Sequence, residues 1–202
     1  MTKIIFATGN KNKLHEINEI LAGTDYHVIS MKEAGINIDI VEDGSTFLEN
    51  ALIKARAIAT VSGELTMADD SGLVIDALNG EPGIYSARYL GEDTPYTTKN
   101  AIILDRMKDV PTEERTARFV CAMAAICPDG TELTTVQNFD GLIADAPAGE
   151  NGFGYDPILY LPEKGCTSAE LSEADKNAIS HRGKALRKMK EMLETYACTD
   201  HQ

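Results

Sequence analysis

The start of the chain passes from strand to helix through a glycine turn, and this arrangement constrains the fold more than any other feature. Residues 3–8 are rich in β-branched and aromatic side chains, which predicts a buried strand. A polar break follows, and residues 11–21 then carry apolar side chains at helical spacing. A strand that turns directly into a helix is typical of α/β proteins.

The rest of the chain continues this alternation and adds one hairpin. Thr46 and Glu49 match a capping box that opens a helix. Two long strands over 116–127 and 131–139 flank a Pro-Asp-Gly turn and predict an antiparallel pair. We therefore predict an α/β fold with a mixed sheet, in a single domain spanning 1–202. The other predicted elements are strands over 26–31, 65–68, 73–78 and 157–161 and helices over 46–61, 95–110, 172–179 and 184–196.

The net charge of −13 limits the partners of this protein. Binding to a nucleic acid polymer depends on neutralising phosphates with Lys and Arg, so a strongly acidic chain is not expected to bind one. A small phosphate ligand in a locally basic pocket remains compatible with this charge. No apolar run approaches the length of a membrane span, so we expect no membrane partner.

The cysteines and the N-terminus favour a cytoplasmic location. Cys121, Cys127, Cys166 and Cys198 form no C-x-x-C pair, so neither a zinc site nor a disulfide framework is supported. We expect all of them to be reduced thiols. The first residues lead straight into a strand and lack the apolar region and cleavage site of a secretory signal.

The first candidate site is the turn Thr8-Gly9-Asn10-Lys11-Asn12-Lys13. Backbone N–H groups at the start of a helix attract anions, and Lys11 and Lys13 add positive charge. The motif indicates a phosphate-binding turn, although a plain strand–helix turn with solvated lysines has the same sequence. The spacing of a P-loop is absent.

The second candidate site is Asp69-Asp70-Ser71-Gly72, which follows a predicted strand. Adjacent carboxylates suit Mg²⁺, which prefers oxygen ligands, and a carboxylate beside bound water can act as a general base. A polar turn is the alternative, since Asp and Ser favour turns. Two charges that close an apolar strand need compensation, however, and this favours a functional role. The acidic pair Glu42-Asp43 precedes Gly44 in a break and could supply a further metal ligand.

Two later segments complete the set of candidates. The loop Gly152-Phe153-Gly154-Tyr155-Asp156-Pro157 can present an aromatic ring to a base, although aromatics folded back on the core are the commoner outcome. Lys176, His181 and Arg182 can donate to phosphate or base oxygens. Taken alone, this segment is better explained as cations at a helix C-terminus, because the helix dipole favours them.

These four segments together supply the parts of a nucleotide–Mg²⁺ site. From the residues alone, three functions remain open. The first is a pyrophosphohydrolase. The second is a phosphatase that forms an aspartyl-phosphate on Asp69 or Asp70. The third is a nucleotide-binding module without catalytic activity.

The order of the motifs resembles that of the inosine triphosphate pyrophosphatases, also called XTP/dITP diphosphatases. The resemblance covers nearly the whole chain. The segments that carry it are Phe6-Ala7-Thr8-Gly9-Asn10-Lys11-Asn12-Lys13, Thr46-Phe47-Leu48-Glu49-Asn50-Ala51, Ala68-Asp69-Asp70-Ser71-Gly72-Leu73, Pro82-Gly83-Ile84-Tyr85-Ser86-Ala87-Arg88-Tyr89, Gly152-Phe153-Gly154-Tyr155-Asp156-Pro157 and Ile179-Ser180-His181-Arg182-Gly183.

The resemblance implies a Mg²⁺-dependent enzyme that hydrolyses ITP, dITP and XTP to the monophosphate and pyrophosphate. Such an enzyme keeps nonstandard purines out of DNA and RNA. The implied structure is an elongated, two-lobed α/β fold, with a central mixed β-sheet flanked by helices and an active-site cleft between the lobes. The implied assembly is a cytoplasmic homodimer that acts on free nucleoside triphosphates.

The resemblance also implies a role for each candidate residue. Asp70 accepts a proton from the attacking water and binds Mg²⁺ together with Glu42. The segment from Thr8 to Lys13, comprising Thr8, Gly9, Asn10, Lys11, Asn12 and Lys13, holds the triphosphate, and Ser71 contacts the nucleotide.

The base is expected to lie against the later segments. Phe153, Gly154, Tyr155 and Asp156 hold it, with Phe153 stacked on the ring. Lys176, His181 and Arg182 complete the pocket. Arg182 is our candidate donor to the 6-oxo group, which inosine and xanthosine carry and adenine lacks, because a polar mismatch in a buried site rejects an analogue strongly.

Overall fold

The computed structural model describes residues 2–199 and, for residues 198 and 199, only the helical backbone. Within these residues the chain forms seven strands and five α-helices, joined by short 3₁₀ turns. The strands are β1 (Thr2–Phe6), β2 (Tyr26–Ser30), β3 (Thr66–Ile75), β4 (Thr116–Ile126), β5 (Glu132–Ile143), β6 (Leu159–Leu161) and β7 (Cys166–Thr167). The helices are α1 (Lys11–Ile20), α2 (Phe47–Ser62), α3 (Tyr96–Met107), α4 (Glu173–Ile179) and α5 (His181–Thr199).

All seven strands belong to one mixed sheet with the order β2-β1-β3-β4-β5-β6-β7. Strand β1 pairs in parallel with both β2 and β3. Strands β5, β6 and β7 pair antiparallel. This arrangement confirms the predicted α/β fold with a central mixed sheet flanked by helices.

Strand β3 differs from its prediction. We predicted two strands separated by a polar break, but β3 runs without interruption through the acidic pair. Asp69 and Asp70 therefore lie inside a strand and not at its end. The turn preference of Asp, Ser and Gly is overridden because β3 lies between β1 and β4 in the sheet, and tertiary pairing outweighs local preference.

The predicted boundaries of the helices are correct at α2 and wrong at α5. The Thr46 hydroxyl accepts a hydrogen bond from the Glu49 N–H at 3.1 Å, and Gly63 ends the helix with a φ of 65°. Helix α5 begins at His181, earlier than predicted, because Ser180 is extended and separates it from α4. The predicted cations at 181 and 182 thus open a helix.

The chain divides into two compact units. Unit 1 contains the described residues of 2–70, 121–137 and 182–199, and unit 2 contains residues 71–120 and 138–181. Unit 1 has one apolar cluster lined by α1 and α5 and another lined by α2. Unit 2 has a single cluster lined by α3 and the ends of β3 to β5.

Two further expectations concerned membrane-spanning helices and the state of the cysteines. Over residues 2–199, no helix combines the length and apolar character that crossing a membrane requires. Cys121, Cys127 and Cys166 carry free thiols, as predicted, and the Cys198 side chain lies outside the described residues.

Candidate active site

The turn before α1 is organised by its own side chains. Asn10 caps the helix, and its side-chain oxygen accepts hydrogen bonds from the N–H groups of Asn12 and Lys13 at 3.0 and 3.3 Å. Thr8 accepts from the Asn10 N–H at 3.1 Å. Several of the N–H groups that we predicted to bind phosphate thus already have a partner. Gly9 and Lys11 are exposed, and a Cβ at Gly9 would meet nothing within 4 Å.

Asp69 is the centre of a buried ionic network in unit 1. Its side chain is fully buried, and its two carboxylate oxygens lie 3.1 and 3.0 Å from Lys13 Nζ. Arg182 Nη2 lies 3.4 Å from Asp69, while Nη1 donates to Glu16 on α1. Burial alone would lower the pKa of Arg182, but Asp69 and Glu16 hold it above its ordinary value. The Cys121 thiol lies 3.9 Å from Asp69.

Asp70 has a different environment, although it is the next residue. Successive side chains of a strand point to opposite faces of the sheet. Asp69 shares its face with Met67, in the cluster beside α1 and α5, and Asp70 shares its face with Ala68, in the cluster beside α2. The sequence suggested that Asp69 and Asp70 form one carboxylate pair, but the two side chains point to opposite faces of the sheet.

Helix α2 supplies two partners of Asp70. Asn50 donates to Asp70 Oδ2 at 3.1 Å and accepts from the Gly44 N–H at 2.9 Å. One turn further along, Lys54 Nζ lies 3.7 Å from Asp70 Oδ1 and 2.5 Å from Glu42 Oε2. Both predicted metal ligands, Glu42 and Asp70, thus approach the same ammonium group.

The pKa of Asp70 is raised above its ordinary value. The largest cause is burial, since the side chain is only 12% exposed. The negative charge of Glu42 raises the pKa further, whereas Lys54, Lys13 and the Asn50 hydrogen bond oppose the shift. A carboxylate with a raised pKa is a stronger base than an ordinary surface carboxylate, which suits the role that the sequence assigned.

In unit 2, Asp156 organises the aromatic glycine loop. Its Oδ2 accepts from the Phe153 N–H at 2.8 Å and from Lys176 Nζ at 2.7 Å, and its Oδ1 accepts from the Ser168 hydroxyl at 2.8 Å. Lys176 Nζ also lies 5.2 Å from the centre of the half-buried Phe153 ring. The structure therefore brings together Phe153, Asp156 and Lys176, three of the residues predicted to surround the base.

The other half of this loop packs into the core of unit 2. The Tyr155 hydroxyl donates to the Ser86 carbonyl at 2.7 Å, and its ring meets Tyr96 edge-on. Burial raises the pKa of Tyr155. Asn100 on α3 donates to the Gly154 carbonyl at 3.1 Å. These contacts fix the loop against the core of unit 2, so Tyr155 has a structural role whether or not it also contacts the base.

The predicted cation cluster is divided among different partners. Lys176 binds Asp156, and the His181 ring stacks on Phe119 with centroids 5.0 Å apart. Arg182, which belongs to unit 1 while the other two belong to unit 2, binds Glu16 and Asp69 and is 2% exposed. Lys176 lies in the last turn of α4, as the helix C-terminus alternative predicted, whereas His181 and Arg182 open α5. All three side chains are buried.

Sequence reasoning missed Glu16, Asn50, Lys54 and Ser168. A usable signal existed for the two residues on α2. Asn50 and Lys54 are one helical turn apart and fall on the same buried stripe as Ala51, Ala55 and Ile58. A polar residue on an apolar stripe must have a partner, so this pattern marks a buried polar site. No comparable pattern marks Ser168, which precedes α4 in a 3₁₀ turn.

Comparison with known proteins identifies the family. The sequence profile of the Ham1 family matches residues 4–192. The chain belongs to the Ham1 family. Among its family relatives, the dITP/XTP pyrophosphatase of Geobacter sulfurreducens is 48% identical over 193 residues, which cover 96% of this chain and 97% of that protein. The dITP/XTP pyrophosphatase of Bacillus subtilis is 47% identical over 195 residues, covering 96% and 98%.

Solved structures of Ham1 proteins have the same fold. The Ham1 protein of Coxiella burnetii superimposes with a TM-score of 0.87 and 41% identity, covering 96% of this chain and all of the other. The Staphylococcus aureus Ham1 protein gives the same values. The fold of this Ham1 family member therefore agrees with solved relatives over nearly the full length.

Proposed function

We propose that this Ham1 family member hydrolyses dITP, XTP and ITP to the nucleoside monophosphate and pyrophosphate. The names of its relatives support the substrate class. The observation that carries the proposal is the environment of Asp70, a buried carboxylate with a raised pKa that shares one cation with Glu42. In the cell, this activity would remove nonstandard purines from the nucleotide pool.

The residues present fit a Mg²⁺ ion. Glu42 and Asp70 direct carboxylate oxygens at the same cationic group, Lys54 Nζ, so a cation position between them already exists. Mg²⁺ is usually held by one or two carboxylates together with substrate phosphates and water. When bound, Mg²⁺ would neutralise phosphate charge and stabilise the leaving pyrophosphate.

Asp70 would act as the general base. It accepts a proton from water as the water oxygen bonds to the α-phosphorus, and the bond from that phosphorus to the bridging oxygen breaks with release of pyrophosphate. Lys13, beside Asp69, and Lys54, beside Asp70, would bind phosphate oxygens. Asp69 keeps Lys13 in place, since it holds the ammonium with both of its oxygens.

The loop of unit 2 would bind the base. Stacking on Phe153 is tolerant of base identity, so discrimination requires hydrogen bonds. The Asp156–Lys176 pair fixes the loop backbone beside that ring. We expect His181 and Arg182 to complete the pocket, with the donor to the 6-oxo group among these residues.

The assembly and location follow from the resemblance alone. We propose a homodimer that acts in the cytoplasm. Light scattering coupled to size exclusion measures the mass in solution, and a monomer at working concentration would exclude the dimer.

A substrate panel tests the proposed function directly. We expect Mg²⁺-dependent release of pyrophosphate from dITP, XTP and ITP, and much lower kcat/KM for dATP and dGTP. In H₂¹⁸O the label should enter the monophosphate, because water attacks the α-phosphorus. Release of orthophosphate would instead indicate the phosphatase alternative, and binding without turnover would indicate a binding module.

The same assay tests the role of Asp70. The Asp70→Asn variant keeps the shape of the side chain and removes the base, so kcat should fall about 10²- to 10⁴-fold. Wild-type turnover by this variant would refute the assignment. Asp43→Asn, at an acidic residue beside Glu42 in the chain, is the matched control and should retain near-normal kcat.

A further inference from the structure

Lys54 lies between the two carboxylates that are expected to bind the metal. Its ammonium group is 2.5 Å from Glu42 Oε2 and 3.7 Å from Asp70 Oδ1. The side chain is 11% exposed, so solvent screens this arrangement only partly. Helix α2 fixes the position, since Asn50 one turn earlier binds Asp70 as well. Lys54 thus already occupies the position of a counter-cation.

The protein alone offers few metal ligands at this position. In the part of the chain that the structure describes, Glu42 and Asp70 belong to no cluster of three or more His, Cys, Asp or Glu side chains. Two carboxylates without a third protein ligand form a weak Mg²⁺ site, because Mg²⁺ gives up its waters reluctantly. A positive charge held between these carboxylates weakens the site further by repelling a second cation.

The charge balance around Lys54 adds to this effect. One cation, Lys54, stands against the two carboxylates of Glu42 and Asp70. A triphosphate that arrives alone would therefore meet a site with a slight excess of negative charge. The metal supplies positive charge, which reduces the repulsion of the triphosphate. The triphosphate supplies a new partner for Lys54, which leaves the carboxylates available to the metal.

We propose that Lys54 closes the metal site in the nucleotide-free protein, so that the divalent cation enters together with the triphosphate. Lys54 exchanges Glu42 and Asp70 for phosphate oxygens when the nucleotide binds, and the freed carboxylates then hold the metal. This inference rests on the proposed function for the identity of the nucleotide. The competition between Lys54 and a cation does not depend on turnover.

Mn²⁺ binding without nucleotide tests the competition. Mn²⁺ accepts the same oxygen ligands as Mg²⁺ and can be titrated by electron paramagnetic resonance. We expect Lys54→Met to bind Mn²⁺ at least about tenfold more tightly than the wild type, a difference of about 1.4 kcal/mol. Lys54→Arg keeps the charge and should remain weak. Equal affinity of Lys54→Met and the wild type would overturn the proposal.

Two further variants control for a non-local effect of the Met substitution and for misfolding. Lys3→Met makes the same substitution at an exposed ion pair, where Lys3 lies 2.8 Å from Glu64, and should not change Mn²⁺ affinity. If Lys54→Met does not fold, as judged by circular dichroism, Lys54→Gln removes the same charge and carries the same expectation. A gain in affinity for Lys3→Met equal to that for Lys54→Met would contradict a local effect.

The coupling between metal and nucleotide tests the second half of the proposal. A non-hydrolysable α,β-imido analogue of ITP should tighten Mn²⁺ binding strongly in the wild type and much less in Lys54→Met. Coupling of this kind is reciprocal, so Mn²⁺ must strengthen analogue binding by the same factor. Equal coupling in both proteins would overturn the exchange. Failure of the proposed function would instead appear as absent pyrophosphate release while the Mn²⁺ affinities still differ.

Discussion

Asp69 and Asp70 are neighbours in the chain, but they lie on opposite faces of β3. Their electrostatic environments therefore differ. Asp69 is buried against Lys13 and Arg182, so its negative charge is compensated twice. Asp70 is buried with weaker compensation, and its pKa is raised. Removing Asp69 would therefore leave buried cations without their carboxylate, whereas burial disfavours the charged form of Asp70.

This contrast predicts opposite effects of the same substitution on stability. Asp69→Asn leaves Arg182 and Lys13 without their shared carboxylate, so unfolding free energy should fall by about 3 kcal/mol, or on the order of 6–12 °C in Tm. Asp70→Asn removes a charge that burial disfavours, so Tm at pH 7 should rise. Differential scanning calorimetry without metal or nucleotide measures both.

The pH dependence of the Asp70→Asn effect follows from the sign of the pKa shift. A carboxyl group whose pKa is higher in the folded protein stabilises the fold when protonated and loses that contribution as the pH rises through the folded pKa. The Tm advantage of Asp70→Asn should therefore shrink as the pH falls towards the ordinary range of carboxyl groups. A variant less stable than the wild type at pH 7 would contradict this balance.

At the scale of elements, the sequence predicted the fold better than the boundaries of the functional segments. The hairpin of β4 and β5 and the cap of α2 follow from local chemistry, so they were predictable. The continuity of β3 was not, because its pairing with β1 and β4 is a property of the whole sheet. The start of α5 at His181 was missed for a similar reason, since buried partners outweigh the local preference of the helix dipole for anions.

The candidate site likewise combines features that local sequence predicts with features that depend on tertiary contacts. Motifs with glycine or paired acids are visible in the sequence, so Asp70, Phe153 and Asp156 could be named as candidates. The partners that control their chemistry lie on other elements and were missed, as with Lys54 on α2 and Ser168 before α4. Helical spacing could have marked Lys54, but only contacts in three dimensions could have joined it to Glu42.

The aromatic glycine loop gives a prediction at this scale. Gly152 has a φ of +72°, and a Cβ there would lie 2.3 Å from Asp156 Oδ2 and 3.1 Å from Lys176 Nζ. Gly152→Ala should displace Asp156 from the Phe153 N–H and raise the KM for dITP about tenfold, a cost of about 1.4 kcal/mol. Steady-state kinetics of pyrophosphate release measures this change.

Gly165→Ala is the control for backbone strain alone. Gly165 has a similar φ of +67°, but a Cβ there would meet nothing within 4 Å. An L-residue in this conformation costs about 1–2 kcal/mol, so Gly165→Ala should lose that stability in urea unfolding and keep its KM. If both variants showed the same KM, the collision with Asp156 would have no functional consequence.

At the scale of the whole molecule, the chemical groups are divided between the two compact units. Lys13, Glu42, Lys54 and Asp70, the groups suited to phosphate and metal, belong to unit 1, and Phe153, Asp156 and Lys176 belong to unit 2. With a net charge of −13, the protein repels polyanions in general. Affinity for a nucleotide must therefore come from a few local contacts, some to the phosphates and others to the base.

Inorganic tripolyphosphate, which has no base, separates these contributions. As a competitive inhibitor with Mg²⁺ it should depend on Lys13 and not on Phe153. Phe153→Leu loses a stacking contact worth about 1–3 kcal/mol, so the KM for dITP should rise roughly 5- to 150-fold while the Ki of tripolyphosphate stays constant. Lys13→Met should weaken both ligands, because every triphosphate loses the same cation. If Phe153→Leu weakened tripolyphosphate as much as dITP, the ring would act through the fold and not through the base.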